Sequence, residues 1–284
     1  MTGAAITWRD LLGEAAERLG SGIEARRLVE RASGFEGNEY ALGLGEVVSA
    51  RAKPFFDSLV ERRAAGEPLQ YVVGSWGFRR LDLFVDRRVL IPRPETEMVV
   101  QVALEELARF PKRPRVVDLG TGSGAIALSI ALEAPTARVV ATDRSPGALA
   151  VAGLNLAGIG TLAAGRVWLA EGEWFDALDE REAGTFQLVV SNPPYVADHE
   201  TLPEEVADWE PPGALRAGPT GLEDIDRIVA AAPRWLARPG ALVVELAPHQ
   251  AETAASRARV AGFSEVEVRR DLAGRERVLL ARLS

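Results

Sequence analysis

From Arg115 onward, short apolar runs and helix-like segments take turns, and this alternation leaves few folds open. Apolar runs at 115–119, 138–142, 166–170, 186–191 and 241–246 are separated by helical segments at 126–134, 146–157, 221–237 and 249–261. Strands that read as continuous apolar runs are buried on both faces. Their alternation with helices predicts an open, mostly parallel α/β sheet. Two last runs, 265–270 and 277–282, have only a loop between them, so an antiparallel pair is expected at the sheet's edge. Ligands in such sheets bind outside the carboxyl ends of the strands. Asp118, Asp143, Glu173 and Asn192 each follow a strand at that edge, so one crevice is expected to hold all four.

The first of these strands runs through Val116, Val117, Asp118 and Leu119 into Gly120-Thr121-Gly122-Ser123-Gly124, then into a helix stopped near Pro135. Glycines let the backbone take positive φ and approach a ligand closely. Dinucleotide-binding folds also carry glycine loops, but the spacing here is Gly-x-Gly-x-Gly rather than G-x-G-x-x-G. Asp143 ends the next apolar run, where a ribose-binding carboxylate belongs in a βαβ unit. The alternative role is a helix cap, and Ser145-Pro146 is the better cap candidate.

Asn192-Pro193-Pro194-Tyr195 follows the buried-looking run Phe186–Ser191. The Asn side chain offers an acceptor oxygen, and the two prolines keep their carbonyls while lacking N–H groups. Such a loop is stiff, rich in acceptors and poor in donors, which suits holding a planar NH2 group by its hydrogens. Tyr195 adds a flat face that can stack on an amide or a base. A Pro-rich turn that merely ends a strand would need neither the Asn nor the Tyr.

Residues 7 to about 66 read as helices. Thr7-Trp8-Arg9-Asp10 resembles a capping box, and Trp8, Leu11, Leu12, Ala15 and Leu19 form an apolar stripe. A second stripe runs through Ala25, Leu28, Val29 and Ala32. A third helix after Ser49 carries Phe55, Phe56, Leu59 and Val60, with the aromatic residues expected in the core. Leu69–Gly74 and Leu81–Val85 read as short strands of a hairpin linker. Leu90-Ile91-Pro92-Arg93-Pro94-Glu95-Thr96-Glu97 is either a rigid lead-in to a helix over 97–110 or a loop over a ligand, with Arg93 or Glu95 in contact.

A net charge of −8 argues against life on DNA or an anionic membrane, since phosphate binding needs a basic surface. There are no cysteines, and the two histidines, His199 and His249, are far apart, so no disulfide or metal site is expected. No apolar stretch reaches the length of a membrane span. Met1-Thr2-Gly3-Ala4-Ala5-Ile6 lacks the basic start of a signal peptide, so a cytoplasmic location is the expectation.

Asp118-Leu-Gly-Thr-Gly-Ser-Gly124, Glu173-Trp174-Phe175, Asn192-Pro-Pro-Tyr195 and Ile91-Pro-Arg-Pro-Glu-Thr-Glu97 together resemble the release-factor glutamine methyltransferases. Glu210-Pro211, Ala214-Leu215 and Gly218-x-x-Gly221-Leu222 extend the resemblance, which covers essentially the whole chain. Two positions depart from the family: its usual residue at Glu173 is Asp, and Glu245-Leu246-Ala247 lacks the Gly of the family's Glu-x-Gly.

The resemblance implies a Rossmann-like class I methyltransferase sheet with an antiparallel edge hairpin, preceded by a small helical domain. It divides the chain into a helical substrate-docking domain (1–70), a β-hairpin linker (71–94) and an S-adenosyl-L-methionine-dependent methyltransferase domain (95–284). The implied reaction carries the methyl group to the side-chain amide nitrogen (N5) of the glutamine in the Gly-Gly-Gln motif of class I peptide chain release factors. S-adenosyl-L-homocysteine is then the product.

Asp118, Gly120, Thr121, Gly122, Gly124, Asp143, Glu173, Trp174 and Asn192 would bind the donor. Asn192, Pro193 and Tyr195 would be catalytic. Asn192, Pro193, Pro194, Tyr195, Arg93 and Glu95 would meet the substrate. No metal, DNA or membrane partner is implied, and a monomer is expected. A glutamine methyltransferase acting on a ribosomal protein would share these motifs. A DNA adenine-N6 methyltransferase shares Asn-Pro-Pro-Tyr but needs a flipped base and a basic groove.

Overall fold

The computed structural model describes residues 5–110 and 112–284; the start of the N-terminal segment read above, residues 1–4, lies outside them. The chain forms two compact units, one ending at Ser75 and joined by 203–209, the other built from 76–202 and 210–284.

The first unit is helical. Its elements are α1 (Trp8–Leu19), α2 (Gly22–Ser33), α3 (Asn38–Gly43), α4 (Ala52–Ala64) and α5 (Leu69–Val73). Thr7 and Asp10 close the capping box at the start of α1, and Gly20 ends that helix at φ 65°. The core gathers Trp8, Leu11, Leu28, Phe56 and Leu59, with Trp8 edge-on to both Phe35 and Phe56. Phe55 departs from expectation and is 43% exposed.

Leu69–Val73 is also a correction: it is a helical turn, not a strand. Pro68 precedes it, Gly74 ends it at φ 73°, and Val72 packs into the unit's core, so tertiary packing overrides the strand preference of the valines. The hairpin therefore starts later, as β1 (Ser75–Phe78) and β2 (Leu81–Phe84).

The second unit continues with α6 (Thr96–Leu107), β3 (Arg115–Leu119), α7 (Ala125–Glu133), β4 (Arg138–Asp143), α8 (Pro146–Gly158), α9 (Thr161–Ala164) and β5 (Val167–Glu171). Then come β6 (Phe186–Ser191), β7 (Val196–Ala197), α10 (Glu204–Trp209, which clusters with the first unit), β8 (Arg216–Gly218), α11 (Glu223–Trp235), β9 (Leu236–Glu245), α12 (Ala251–Val260), β10 (Glu265–Arg270) and β11 (Glu276–Leu283).

Seven strands form one sheet in the order β10-β11-β9-β6-β3-β4-β5. The pairs β9–β6, β6–β3, β3–β4 and β4–β5 are parallel, and β11 runs antiparallel to both β9 and β10. This is the α/β fold with an antiparallel edge that the sequence predicts. Side chains alternate across the sheet. Val117, Leu119, Val189, Leu242 and Val244 meet α11 and α12 on one face, leaving the buried Val116, Leu188, Val190 and Val243 to the other. No helix among the described residues is long and apolar enough to cross a membrane.

One side chain ties the hairpin to the sheet. Asn155, on α8 and nearly fully buried, accepts from the Phe84 amide at 2.7 Å through Oδ1. Its Nδ2 donates to the carbonyls of Phe84 at 3.0 Å and Ser123 at 2.8 Å. The edge of β2 and the end of the glycine loop are thus satisfied by a single amide. Asn155→Ala leaves buried backbone groups unpaired and is expected to cost about 2–3 kcal/mol. A urea denaturation curve checks this, and an unchanged midpoint would contradict it.

Candidate active site

The carboxyl ends of β3, β4, β5 and β6 open onto a cavity of about 260 Å³. Register brings them level: Leu119 lies opposite both Thr142 and Ser191, and Asp143 lies opposite Glu171. Of the residues singled out above, Gly120, Thr121, Gly122, Asp143, Glu173, Trp174, Asn192 and Pro194 line this cavity. Asp118, Gly124, Pro193, Tyr195, Arg93 and Glu95 lie off its wall.

The glycine loop is held from beneath. Asp118 is fully buried, and its Oδ2 accepts from the Thr121 hydroxyl at 2.6 Å and the Ala127 amide at 3.1 Å. It therefore joins the loop to the first turn of α7. Gly120 takes φ 71°, and a Cβ there would come within 3.1 Å of the Trp174 ring. Gly124 has a packing role, since a Cβ would meet Leu128 at 3.0 Å.

Asp143 is aimed by backbone donors. The Gly122 amide donates to its Oδ2 and the Ser145 amide to its Oδ1, both at 2.9 Å. Each carboxylate oxygen keeps a further lone pair for a ligand. Glu173 pairs with Arg144 at 3.2 Å, and the same arginine donates to the Gly213 carbonyl at 3.1 Å. Trp174, at φ 49°, keeps its Nε1 buried and without a hydrogen-bond partner.

Two loops from distant parts of the sequence meet over the cavity. Pro92 and Thr96 line it from one, and Pro211, Gly213 and Ala214 from the other. Glu210 joins them: it is buried, accepts from the Ile91 amide at 3.1 Å, and pairs with Arg93. Arg93 is thus committed to Glu210, and Glu95 accepts from Arg275 at 3.0 Å. Arg93 and Glu95, expected above to meet the substrate, thus each also have a partner within the protein.

Asn192 Nδ2 donates to the Thr96 hydroxyl at 3.1 Å. Behind it, the Tyr195 hydroxyl donates to Glu245 Oε1 at 3.3 Å. Burial and the neighbouring Glu245 push the Tyr195 phenol well above its ordinary range. Gln250 fixes the backbone of this loop, donating to the carbonyls of Tyr195 and Gly221, each at 2.9 Å. A Cβ on Gly221 would stand 2.5 Å from the Tyr195 oxygen, so a glycine at φ 75° is required there. Thr96 and Glu210 fall within motifs quoted above without a role assigned to them, and Arg144 and Gln250 were not singled out, since each acts through a partner far along the chain.

Burial pushes the carboxyls of Asp118 and Glu245 up to about 7. Their ordinary values are 3.8 and 4.5, so between these and about pH 7 the folded chain holds protons that the unfolded chain has lost. Stability is then greatest below that window and falls as pH rises through it. Asp118→Asn should flatten part of this fall in thermal midpoints measured from pH 5 to 8. The same slope as wild type would contradict the assignment.

Comparison with known proteins agrees with this architecture. Residues 8–74 match the PrmC N-terminal domain and residues 96–208 the Methyltransferase small domain. The release factor glutamine methyltransferase of Deinococcus radiodurans is 43% identical, over 96% of this chain and 98% of the relative. That of Burkholderia pseudomallei is 42% identical, over 92% of each chain. A methyltransferase structure from Pyrococcus furiosus is similar in fold, with a TM-score of 0.51 and 17% identity over 71% of this chain and 88% of that one. With relatives this similar along nearly their full length, the chain belongs to the release factor glutamine methyltransferase family.

Proposed function

We propose that this protein transfers a methyl group from S-adenosyl-L-methionine to the side-chain amide nitrogen of the Gly-Gly-Gln glutamine of class I peptide chain release factors. The observation that carries the reading is the juxtaposition, in one cavity, of the Gly120–Gly122 loop, the Asp143 carboxylate and the acceptor end of Asn192. The helical first unit is assigned to docking the release factor, and the second unit to the chemistry.

The cavity suits the donor. The positive-φ glycines beneath the Trp174 ring leave backbone room for its methionine portion. Asp143 retains acceptor capacity for the ribose hydroxyls. Glu173 and Trp174 lie where the adenine belongs, with Arg144 neutralising the Glu173 charge. The donor supplies an electrophilic methyl group on a sulfonium.

The task left to the protein is geometry, because an amide nitrogen is a poor nucleophile whose lone pair is delocalised into its carbonyl. Asn192 Oδ1 and the Pro193 carbonyl accept the two amide hydrogens. This draws electron density toward nitrogen and aims it at the methyl group. Alignment of this kind contributes roughly 7–11 kcal/mol in favourable cases. Pro193 and Pro194 add no competing N–H, and Tyr195 stiffens the loop from behind through Glu245.

Labelled S-adenosyl-L-methionine, unmodified release factor and the protein, followed by mass spectrometry, test the assignment. A methyl group on the Gly-Gly-Gln glutamine is expected, and label elsewhere or none would overturn it. Asn192→Ala should lower turnover by about a hundredfold or more while donor affinity stays close to wild type. Asp143→Ala should instead weaken donor binding, by about tenfold or more in calorimetry, through loss of charge-assisted hydrogen bonds. Near-normal turnover in Asn192→Ala would contradict the mechanism.

A further inference from the structure

The two ends of a side-chain amide have nearly the same shape and opposite hydrogen-bonding character. Accepting the hydrogens of a substrate NH2 group needs Asn192 Oδ1 toward the cleft; turned over, the same side chain would present two donors and repel it. Something must therefore hold one orientation. Two buried residues stand beside this choice. Thr96 is 3% exposed, at the first position of α6, and its hydroxyl accepts from Asn192 Nδ2 at 3.1 Å. Glu245 is fully buried at the end of β9, the strand beside β6. The Tyr195 hydroxyl donates to its carboxyl at 3.3 Å.

The Thr96 oxygen takes the NH2 end of the Asn192 amide, which leaves the Oδ1 end for a ligand. The contact joins the start of α6 to the loop after β6.

We propose that Thr96 is a positioning residue for methyl transfer: its hydroxyl, accepting from Asn192 Nδ2, fixes which end of the Asn192 amide faces the substrate. This rests on the function proposed above. The test compares Thr96→Val, which keeps the shape and removes the hydroxyl, with Thr96→Ser, which restores it. For each, kcat and KM for an unmodified release factor are measured, with the donor dissociation constant by calorimetry and the thermal midpoint. Thr96→Val should lower kcat by about ten- to a hundredfold, the loss expected when one oriented acceptor contact fails in the transition state. Donor affinity should stay within about threefold, and Thr96→Ser should return kcat to within about threefold of wild type.

A Thr96→Val enzyme with wild-type kcat, or a Thr96→Ser enzyme as slow as Thr96→Val, would overturn the proposal. A purely packing role predicts the opposite order, with Val tolerated better than Ser. Should Thr96→Val not fold, Thr96→Ala against Thr96→Ser makes the same comparison of hydroxyl present and absent.

A second readout needs no substrate. Nuclear Overhauser contacts from the Asn192 side-chain NH2 to the Thr96 methyl group should be present in the wild-type protein and report the amide orientation directly. Their absence would overturn the orientation itself. If the wild-type protein methylated no release factor, the functional reading would fail. The Overhauser contacts would still decide the orientation alone.

Discussion

The register of β3 against β6 places everything else in the cleft. Leu119 lies opposite Ser191, and the Ser191 hydroxyl, fully buried, donates to the Leu119 carbonyl at 2.7 Å. This bond locks the last pair of the two strands, so the glycine loop and the Asn-Pro-Pro-Tyr loop leave the sheet at the same level. A shift of one residue would turn each side chain to the opposite face and carry Asn192 away from Gly120. The parallel neighbours extend the same level edge to Asp143 and Glu173.

On that edge, charge is handled by two different means. Asp143 and Glu173 stay at the cavity wall, one held by backbone amides and the other by Arg144. Asp118 and Glu245 are sealed below it, where burial raises their proton affinity and each leaves one oxygen unpartnered. The sealed pair holds the loops above it through hydroxyls: Thr121 for Asp118, and Tyr195 for Glu245. Glu210 does comparable work for the roof, since its buried carboxylate is matched by an arginine and an amide, as a buried charge requires.

Much of this was legible in the sequence because it is local. Apolar runs alternating with helical segments set the parallel sheet, and the lone loop between the last two runs set its antiparallel edge. Glycine spacing and acids at strand ends marked the rim that holds Gly120, Asp143 and Asn192. What stayed hidden depends on partners distant in sequence. An acid at a strand end can point into the crevice or beneath the loop, and Asp118 points beneath. The pairing of Arg93 with Glu210, 117 positions away, cannot be read from local pattern even though both residues stand in motifs. Leu69–Val73 carries strand-forming residues, yet Pro68, Gly74 and the core contact of Val72 make it a helix.

A crystal structure with S-adenosyl-L-homocysteine and a Gly-Gly-Gln peptide tests the central claim most directly. The account predicts the glutamine nitrogen facing the sulfur, its two hydrogens on Asn192 Oδ1 and the Pro193 carbonyl, and the ribose hydroxyls on Asp143. Asn192 Nδ2 would remain on the Thr96 hydroxyl. A glutamine side chain bound away from Asn192, or an Asn192 amide turned with its NH2 toward the peptide, would contradict it.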